Sequence, residues 1–358
     1  MTLFGVLSHL KTLIAFDTQN PPRDLTADSA IFTWISDLLG ADFMIEVTDH
    51  GLGRISLLAV RGKPALLFNV HLDTVPVIEG SRFPALKMTL ENNRVYGRGS
   101  CDIKGAAACL LELACTGDEP LAMLFSTDEE GGNGCCIAEF VSSERSKEFT
   151  QVVVAEPTMC RAVLGHRGYL SVKGEFTGLA GHSSEPRALE DNALHKAAVW
   201  IAAALQTAKH MESEGNRSCF NVGEVHGGIK SNVIADRANL HWSARLSPGD
   251  SNEQFLGAMI ELEHGESANW QVPFSGPPLP CEGFDTAGST AFVEKHQLET
   301  GPDVDFWTEA SLFAQAGIPA IVLGPGHISQ AHAVDEWVAE EQLELALNIY
   351  ASLVRSHD

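Results

Sequence analysis

At 358 residues the chain exceeds one average domain and can bury a large core, so two domains are expected. It carries 24 Lys and Arg against 47 Asp and Glu, a net charge of -23, which argues against a nucleic-acid or anionic-membrane partner. With 20 % charged residues and a mean hydropathy of +0.00 the composition is that of an ordinary soluble protein, and no apolar run approaches the ~18 residues of a membrane span.

In chain order, Leu3, Leu7, Leu10 and Ile14 recur at helical spacing, with His9 and Lys11 interrupting them and no basic segment ahead of them. This reads as an amphipathic helix and not as an export signal. A continuous apolar run at 66–70 closes on His71, a run at 121–125 leads to Glu129 and Glu130, and a run at 152–155 leads to Glu156. A last run at 320–323 passes through a Gly-Pro-Gly loop to His332, and Asp102 follows the Gly97-Arg98-Gly99 turn. Such runs suit strands buried on both faces of a largely parallel sheet, whose carboxyl edge is where α/β folds place ligands. The Ala- and Leu-rich stretch from Gly105 reads as a helix packed on that sheet.

From about residue 168 the texture changes. Alternating strands are expected at 169–177, 218–225 and 235–246, with a short strand at 269–274. Helices are expected at 191–208 and 251–263, the latter capped by Ser251 with Gln254 three residues on. The order β-α-β-β-α-β is that of a ferredoxin-like unit, and the Pro-rich segment 276–280 returns the chain to the first domain. The expectation is an α/β protein with a discontinuous domain, 1–167 and 277–358, and an inserted domain at 168–276.

Eight cysteines without CxxC spacing, including adjacent Cys135 and Cys136, make a poor disulfide framework and point to reduced thiols in the cytoplasm. The segment from Gly97 to Asp102 lacks the Gly-Lys-Ser/Thr ending of a phosphate loop, and no Gly-x-Ser-x-Gly elbow occurs. Cys101 reads as a small packed thiol.

Two imidazoles, His71 and His332, and the carboxylates Asp102, Glu129, Glu130 and Glu156 are a donor set that suits a pair of borderline-soft divalent ions. One Asp can bridge two ions because it has two oxygens. Asp73, two residues after His71, faces the same way on a strand and can accept the other ring N–H. Glu129 and Glu130 could equally form a charged turn; at a strand end, however, neighbours point in different directions, so one can hold metal while the other faces a water.

The segments Val70-His71-Leu72-Asp73-Thr74-Val75-Pro76, Gly97-Arg98-Gly99-Ser100-Cys101-Asp102-Ile103-Lys104-Gly105, Asp128-Glu129-Glu130, Ala155-Glu156-Pro157-Thr158 and Gln330-Ala331-His332 occur in order. Together they resemble the dinuclear zinc hydrolases that include acetylornithine deacetylase, succinyl-diaminopimelate desuccinylase, aminoacylase and glutamate carboxypeptidase. Trp307-Thr308-Glu309-Ala310, Leu323-Gly324-Pro325-Gly326 and Asp335-Glu336 are most similar to the acetylornithine and acetylcitrulline deacetylase branch.

The resemblance implies a zinc-peptidase-like catalytic domain with a lid that also pairs two subunits into a homodimer. It implies Zn2+, two per subunit, replaceable by Co2+, with Asp102 bridging, His71 and Glu156 completing one site and Glu130 and His332 the other. Glu129 is then the general base and His182 in Gly181-His182-Ser183-Ser184 the oxyanion donor, and Asp73, the partner of the His71 ring, is counted with them as catalytic. Arg245 and Asn232 are the implied anchors of a substrate carboxylate, with Lys230 and the backbone of Gly324 and Gly326 as further contacts.

The implied substrate is a small-molecule N-acetyl amino acid, with N-acetyl-L-ornithine in arginine biosynthesis ahead of N-acetyl-L-citrulline. Lys230 stands where acetylornithine enzymes often have an acid, and it would repel an ammonium more than a neutral ureido group. A desuccinylase or dipeptidase of the same architecture is an alternative. So is a non-catalytic metal-binding protein, against which an intact Glu129 argues.

Overall fold

The computed structural model describes residues 1–22, 24–131, 134–263 and 268–356. The chain divides into two units, one of 1–164, 285–303 and 308–358, the other of 165–284 and 304–307.

The first unit is built on a six-stranded sheet in the order Met44–Asp49, Ile55–Arg61, Leu121–Ser126, Leu66–His71, Gln151–Pro157, Ala320–Gly324. Its central and C-terminal strands run parallel, and the Met44–Asp49 and Ile55–Arg61 strands complete it as an antiparallel edge. Every residue of Leu66–His71, Leu121–Ser126, Gln151–Pro157 and Ala320–Gly324 is buried, which is why these segments read as largely apolar runs without alternation.

Helix Lys104–Thr116 is buried from Lys104 to Ala114 and contacts the Leu66–His71 and Gln151–Pro157 strands as well as helices Leu3–Ala15 and Glu340–Arg355. Its Gly-Ala-Ala-Ala start lets the backbone approach, and a Cβ on Gly105 would lie 2.5 Å from the Ser100 carbonyl. A small antiparallel sheet of Thr89–Glu91, Arg94–Tyr96 and Trp337–Ala339 joins the middle of the chain to its C-terminal part.

The second unit has the expected β-α-β-β-α-β course in Tyr169–Thr177, Ala193–Ser213, Cys219–Gly227, Arg237–Arg245, Asn252–Ile260 and Ala268–Gly276. Its four long strands form one antiparallel sheet. Trp200, Trp242, Phe176 and Met259 fill its core, and the Trp200 indole N–H donates to the Met259 carbonyl at 2.9 Å. Ser251 caps its helix by accepting from the Gln254 amide, but the Gln254 side chain does not complete a reciprocal box: it donates to Glu282 at 2.7 Å. Two-residue strands Gly181–His182 and Val233–Ile234 also pair, a contact too short to leave a periodic signal.

Among the described residues no helix is long and apolar enough to cross a membrane. All eight cysteines are free.

Candidate metal centre and active site

Three strand ends and two loops of the first unit converge at the carboxyl edge of its sheet. His71 is the last residue of its strand, Glu156 lies one from the end of its own, and Glu129 and Glu130 follow the 121–126 strand. Asp102 precedes helix Lys104–Thr116, and His332 follows the short Ile328–Gln330 turn with a left-handed φ of 57°. A non-glycine residue held there costs energy, and such residues cluster where a side chain must be aimed.

The donor atoms form overlapping groups. His71, Asp102 and Glu156 place ligand atoms within 4.8 Å of one another, as do Asp102, Glu130 and His332, and as do His71, Glu129 and Glu130. Asp102 is common to the first two and divides its oxygens between them: Oδ1 lies 2.9 Å from His71 Nε2 and Oδ2 lies 3.2 Å from His332 Nε2. Glu156 Oε1 is 3.5 Å from His71 Nε2, and Glu130 Oε1 is 3.1 Å from His332 Nε2.

Asp73 plays a broader part than the His-x-Asp spacing suggested. The His71 Nδ1 bond is to the Asp73 main-chain carbonyl at 2.9 Å, and the carboxylate Oδ1 stands farther off at 3.5 Å. Asp73 lies beyond the strand end, so its carbonyl and not its side chain sits under the ring. The carboxylate Oδ2 instead accepts from the Glu130 main-chain N–H at 3.0 Å and from Asn20 at 2.8 Å. The residue therefore fixes the His71 ring and the Glu130 backbone together, which is the role of an outer support for a ligand set.

The electrostatics of this cluster fit a cation. Among the described residues the ion-pair partners of Asp102, Glu130 and Glu156 are His71 and His332, with no Lys or Arg among them. Burial pushes Glu129, Glu130 and Glu156 above the usual carboxylate range, and the neighbouring carboxylates push them further. Burial pulls His71 down, but Glu156, Asp102 and Asp73 more than offset it. His332 is raised to about 10 by its hydrogen bonds to Asp102 and Glu130. Alone, the cluster must recruit protons to neutralise itself; divalent ions do the same without them.

The remaining expected residues lie in two places. In the second unit, His182 and Asn232 are neighbours: His182 pairs with Val233 across the two short strands, and the Ser183 N–H donates to the Asn232 carbonyl at 3.1 Å. His182 Nδ1 accepts from the Ser184 N–H at 3.3 Å and meets Ser184 Oγ at 2.8 Å, which leaves the ring proton on Nε2 in the neutral form. The Arg245 guanidinium stacks 4.0 Å from the Tyr169 ring centroid, and Lys230 is exposed with no ion pair among the described residues.

In the first unit, the Gly324 N–H donates to Thr158 Oγ1 at 3.1 Å and the Gly326 N–H to Gln342 at 3.3 Å. Those donors are engaged internally. A Cβ on Gly324 would lie 2.1 Å from the Ala155 carbonyl, so this glycine serves close packing on the neighbouring strand.

Sequence reasoning passed over Arg98 and Glu336, a buried pair at 2.7 Å, and Glu309, buried with Oε2 accepting from Ser126 at 2.9 Å. All three did appear inside quoted segments, with no role given to them.

Residues 67–356 match the model of Peptidase family M20/M25/M40. The chain is 43 % identical over 354 residues to an N-acetyl-L-citrulline deacetylase of Xanthomonas campestris pv. campestris, covering 96 % of this chain and 95 % of that one. It is 30 % identical over 357 residues to an acetylornithine deacetylase of Vibrio vulnificus, covering 92 % of each. In fold it is similar to a tripeptidase from Staphylococcus aureus, with a TM-score of 0.75 at 17 % identity over 99 % of this chain and 98 % of that one. Aminopeptidase PepT from Bacillus cereus gives a TM-score of 0.73 at 16 % identity over the same shares.

The family match and the deacetylase relatives make the chain a metal-dependent amidohydrolase, and the donor set is of the kind such an enzyme needs. The chain belongs to peptidase family M20/M25/M40.

Proposed function

We propose that this enzyme removes the acetyl group from the α-nitrogen of an N-acetyl amino acid, with N-acetyl-L-citrulline as the preferred substrate and N-acetyl-L-ornithine second. The observation that carries the preference is the 43 % identity to a citrulline-acting deacetylase across 96 % of the chain, against 30 % to an ornithine-acting one. That reverses the order expected from sequence. The exposed charge of Lys230, which makes no ion pair among the described residues, supports the same order: set at the substrate's far end, a lysine repels ornithine's ammonium and not a ureido group.

His71, Asp102 and Glu156 would hold one divalent ion and Asp102, Glu130 and His332 the other, with Asp102 giving one oxygen to each; zinc suits these donors and cobalt can replace it. Bound there, the ions would acidify a water and polarise the amide carbonyl. Glu129 accepts the water's proton on its carboxylate and returns it to the departing amine. The His182 Nε2–H donates to the oxyanion, Arg245 and Asn232 hold the substrate carboxylate, and Asp73 keeps His71 and Glu130 oriented. Free thiols at all eight cysteines fit a reducing cytoplasm, and the second unit is proposed as lid and homodimer contact.

Parallel hydrolysis assays on N-acetylcitrulline, N-acetylornithine and N-succinyl-diaminopimelate test the assignment. The expected order of kcat/KM is citrulline, then ornithine, then the succinyl substrate. Equal rates on all three, or none on any with metal fully loaded, contradict it.

A further inference from the structure

The loop that carries Asp102 is wrapped around a single buried carboxylate from the far end of the chain. Glu336 is 3 % exposed. Its Oε2 accepts from the Arg98 guanidinium at 2.7 Å and the Gly99 N–H at 3.0 Å; its Oε1 accepts from the Cys101 N–H at 2.9 Å and the Asp102 N–H at 3.0 Å. The Glu336 main-chain carbonyl also accepts from the Gly97 N–H at 3.1 Å. Successive backbone N–H groups converging on an anion form a nest, and a left-handed residue helps to close one. Gly99, at φ +81°, supplies it, and a Cβ there would meet Lys104 and Thr74 at 2.9 Å.

Four residues before Glu336 stands His332, and immediately before it Asp335 accepts from Ser81 Oγ at 2.7 Å and the Arg82 N–H at 2.8 Å. The segment 332–336 is thus pinned on both sides, so Glu336 ties the backbone of Asp102 to the segment bearing His332.

We propose that Glu336 is a positioning residue for the metal centre: its carboxylate sets the 97–102 loop so that the two oxygens of Asp102 meet His71 and His332. This rests on the ligand assignment proposed above. Asp102 can serve both sides only if its backbone is placed to within a fraction of an ångström, and four donors on one carboxylate supply that. A glutamine has one acceptor oxygen, so its NH2 would face two donors on one side of the nest.

The test is Co2+ titration of chelated wild type, Glu336→Gln and Arg98→Lys, followed by calorimetry and by the visible cobalt spectrum, with melting temperature recorded beside it. Glu336→Gln is expected to bind Co2+ about 10-fold or more weakly, with an altered spectrum. Arg98→Lys keeps a cation and the three amide contacts, and is expected to bind within about 3-fold of wild type even where it melts lower. Unchanged affinity and spectrum in Glu336→Gln, or losses in both variants that simply follow melting temperature, overturn the inference. Should Glu336→Gln not fold, Glu336→Asp carries the same expectation, because a carboxylate shortened by one methylene cannot reach both halves of the nest; wild-type affinity in that variant overturns the inference equally. A wild-type chain that takes up no Co2+ overturns the ligand assignment itself.

Discussion

His71 and His332, far apart in the chain, reach different oxygens of one carboxylate: Asp102 Oδ1 lies 2.9 Å from the first imidazole and Oδ2 3.2 Å from the second. A carboxylate shared in this way belongs to both halves of a site at once, so its loss should disable both, whereas the loss of a private ligand disables one.

Glu129 is adjacent to a proposed ligand and near His71, but its proposed work is proton transfer. Glu129→Gln keeps the shape and removes the base. The expected outcome is a fall in kcat of about 10²–10⁴-fold, with KM and bound metal close to wild type, read by steady-state kinetics and elemental analysis. A variant that retains most of its kcat would remove Glu129 from the chemistry.

Glu309 should make stability depend on pH. Burial first and the Asp128 charge second raise its carboxyl to about 8 from an ordinary 4.5. A raised folded-state value means that the native chain holds a proton the unfolded chain has released, so this contribution is full below about pH 4.5 and is lost as pH rises toward about 8. Within that window each pH unit costs up to about 1.4 kcal/mol. Denaturant melts in excess chelator, where metal-ligand protonation is common to both chains, should show Glu309→Gln gaining on wild type from pH 5 to pH 8. A constant difference across that range contradicts the assignment.

Phe68 lies in the centre of the sheet, fully buried and set edge-on to Tyr350 at 5.2 Å, and the Tyr350 hydroxyl in turn donates to the Leu323 carbonyl at 2.9 Å. Phe68→Ala removes the ring from a packed interior and should cost about 3–5 kcal/mol of stability, measured by chemical denaturation. A cost under about 1 kcal/mol would mean that the surrounding strands collapse into the space.

Lys230 offers a test of selectivity. Lys230→Glu should raise the ratio of kcat/KM for N-acetylornithine over N-acetylcitrulline by about 10-fold, since it replaces a repulsion of the ammonium by an attraction. An unchanged ratio would place Lys230 away from the substrate's distal group.

Much of this architecture was legible before any coordinates. The 66–70, 121–125, 152–155 and 320–323 runs announced doubly buried strands because Asn69 alone interrupts them with a polar side chain, and His71, Glu129, Glu130 and Glu156 stood at or just beyond an end. The ferredoxin-like order was readable from alternation and from the Ser251 cap. What escaped was set by partners distant in sequence. The Met44–Asp49 strand is largely exposed along its length, so its short Ile45-Glu46-Val47-Thr48 alternation is not backed by a continuous apolar run. The nest around Glu336 joins groups more than 230 residues apart, and its donors are backbone amides, which no residue type advertises. Asp73 acts on His71 through its carbonyl for the same reason: side-chain spacing says nothing about main-chain acceptors.

The measurement closest to the central claim is metal content per chain, by elemental analysis, in wild type, Asp102→Ala and His332→Ala after equilibration with limiting free zinc. The account predicts about two ions in wild type, about one in His332→Ala and close to none in Asp102→Ala. An Asp102→Ala chain that retains as much zinc as wild type would contradict a centre built around one shared carboxylate.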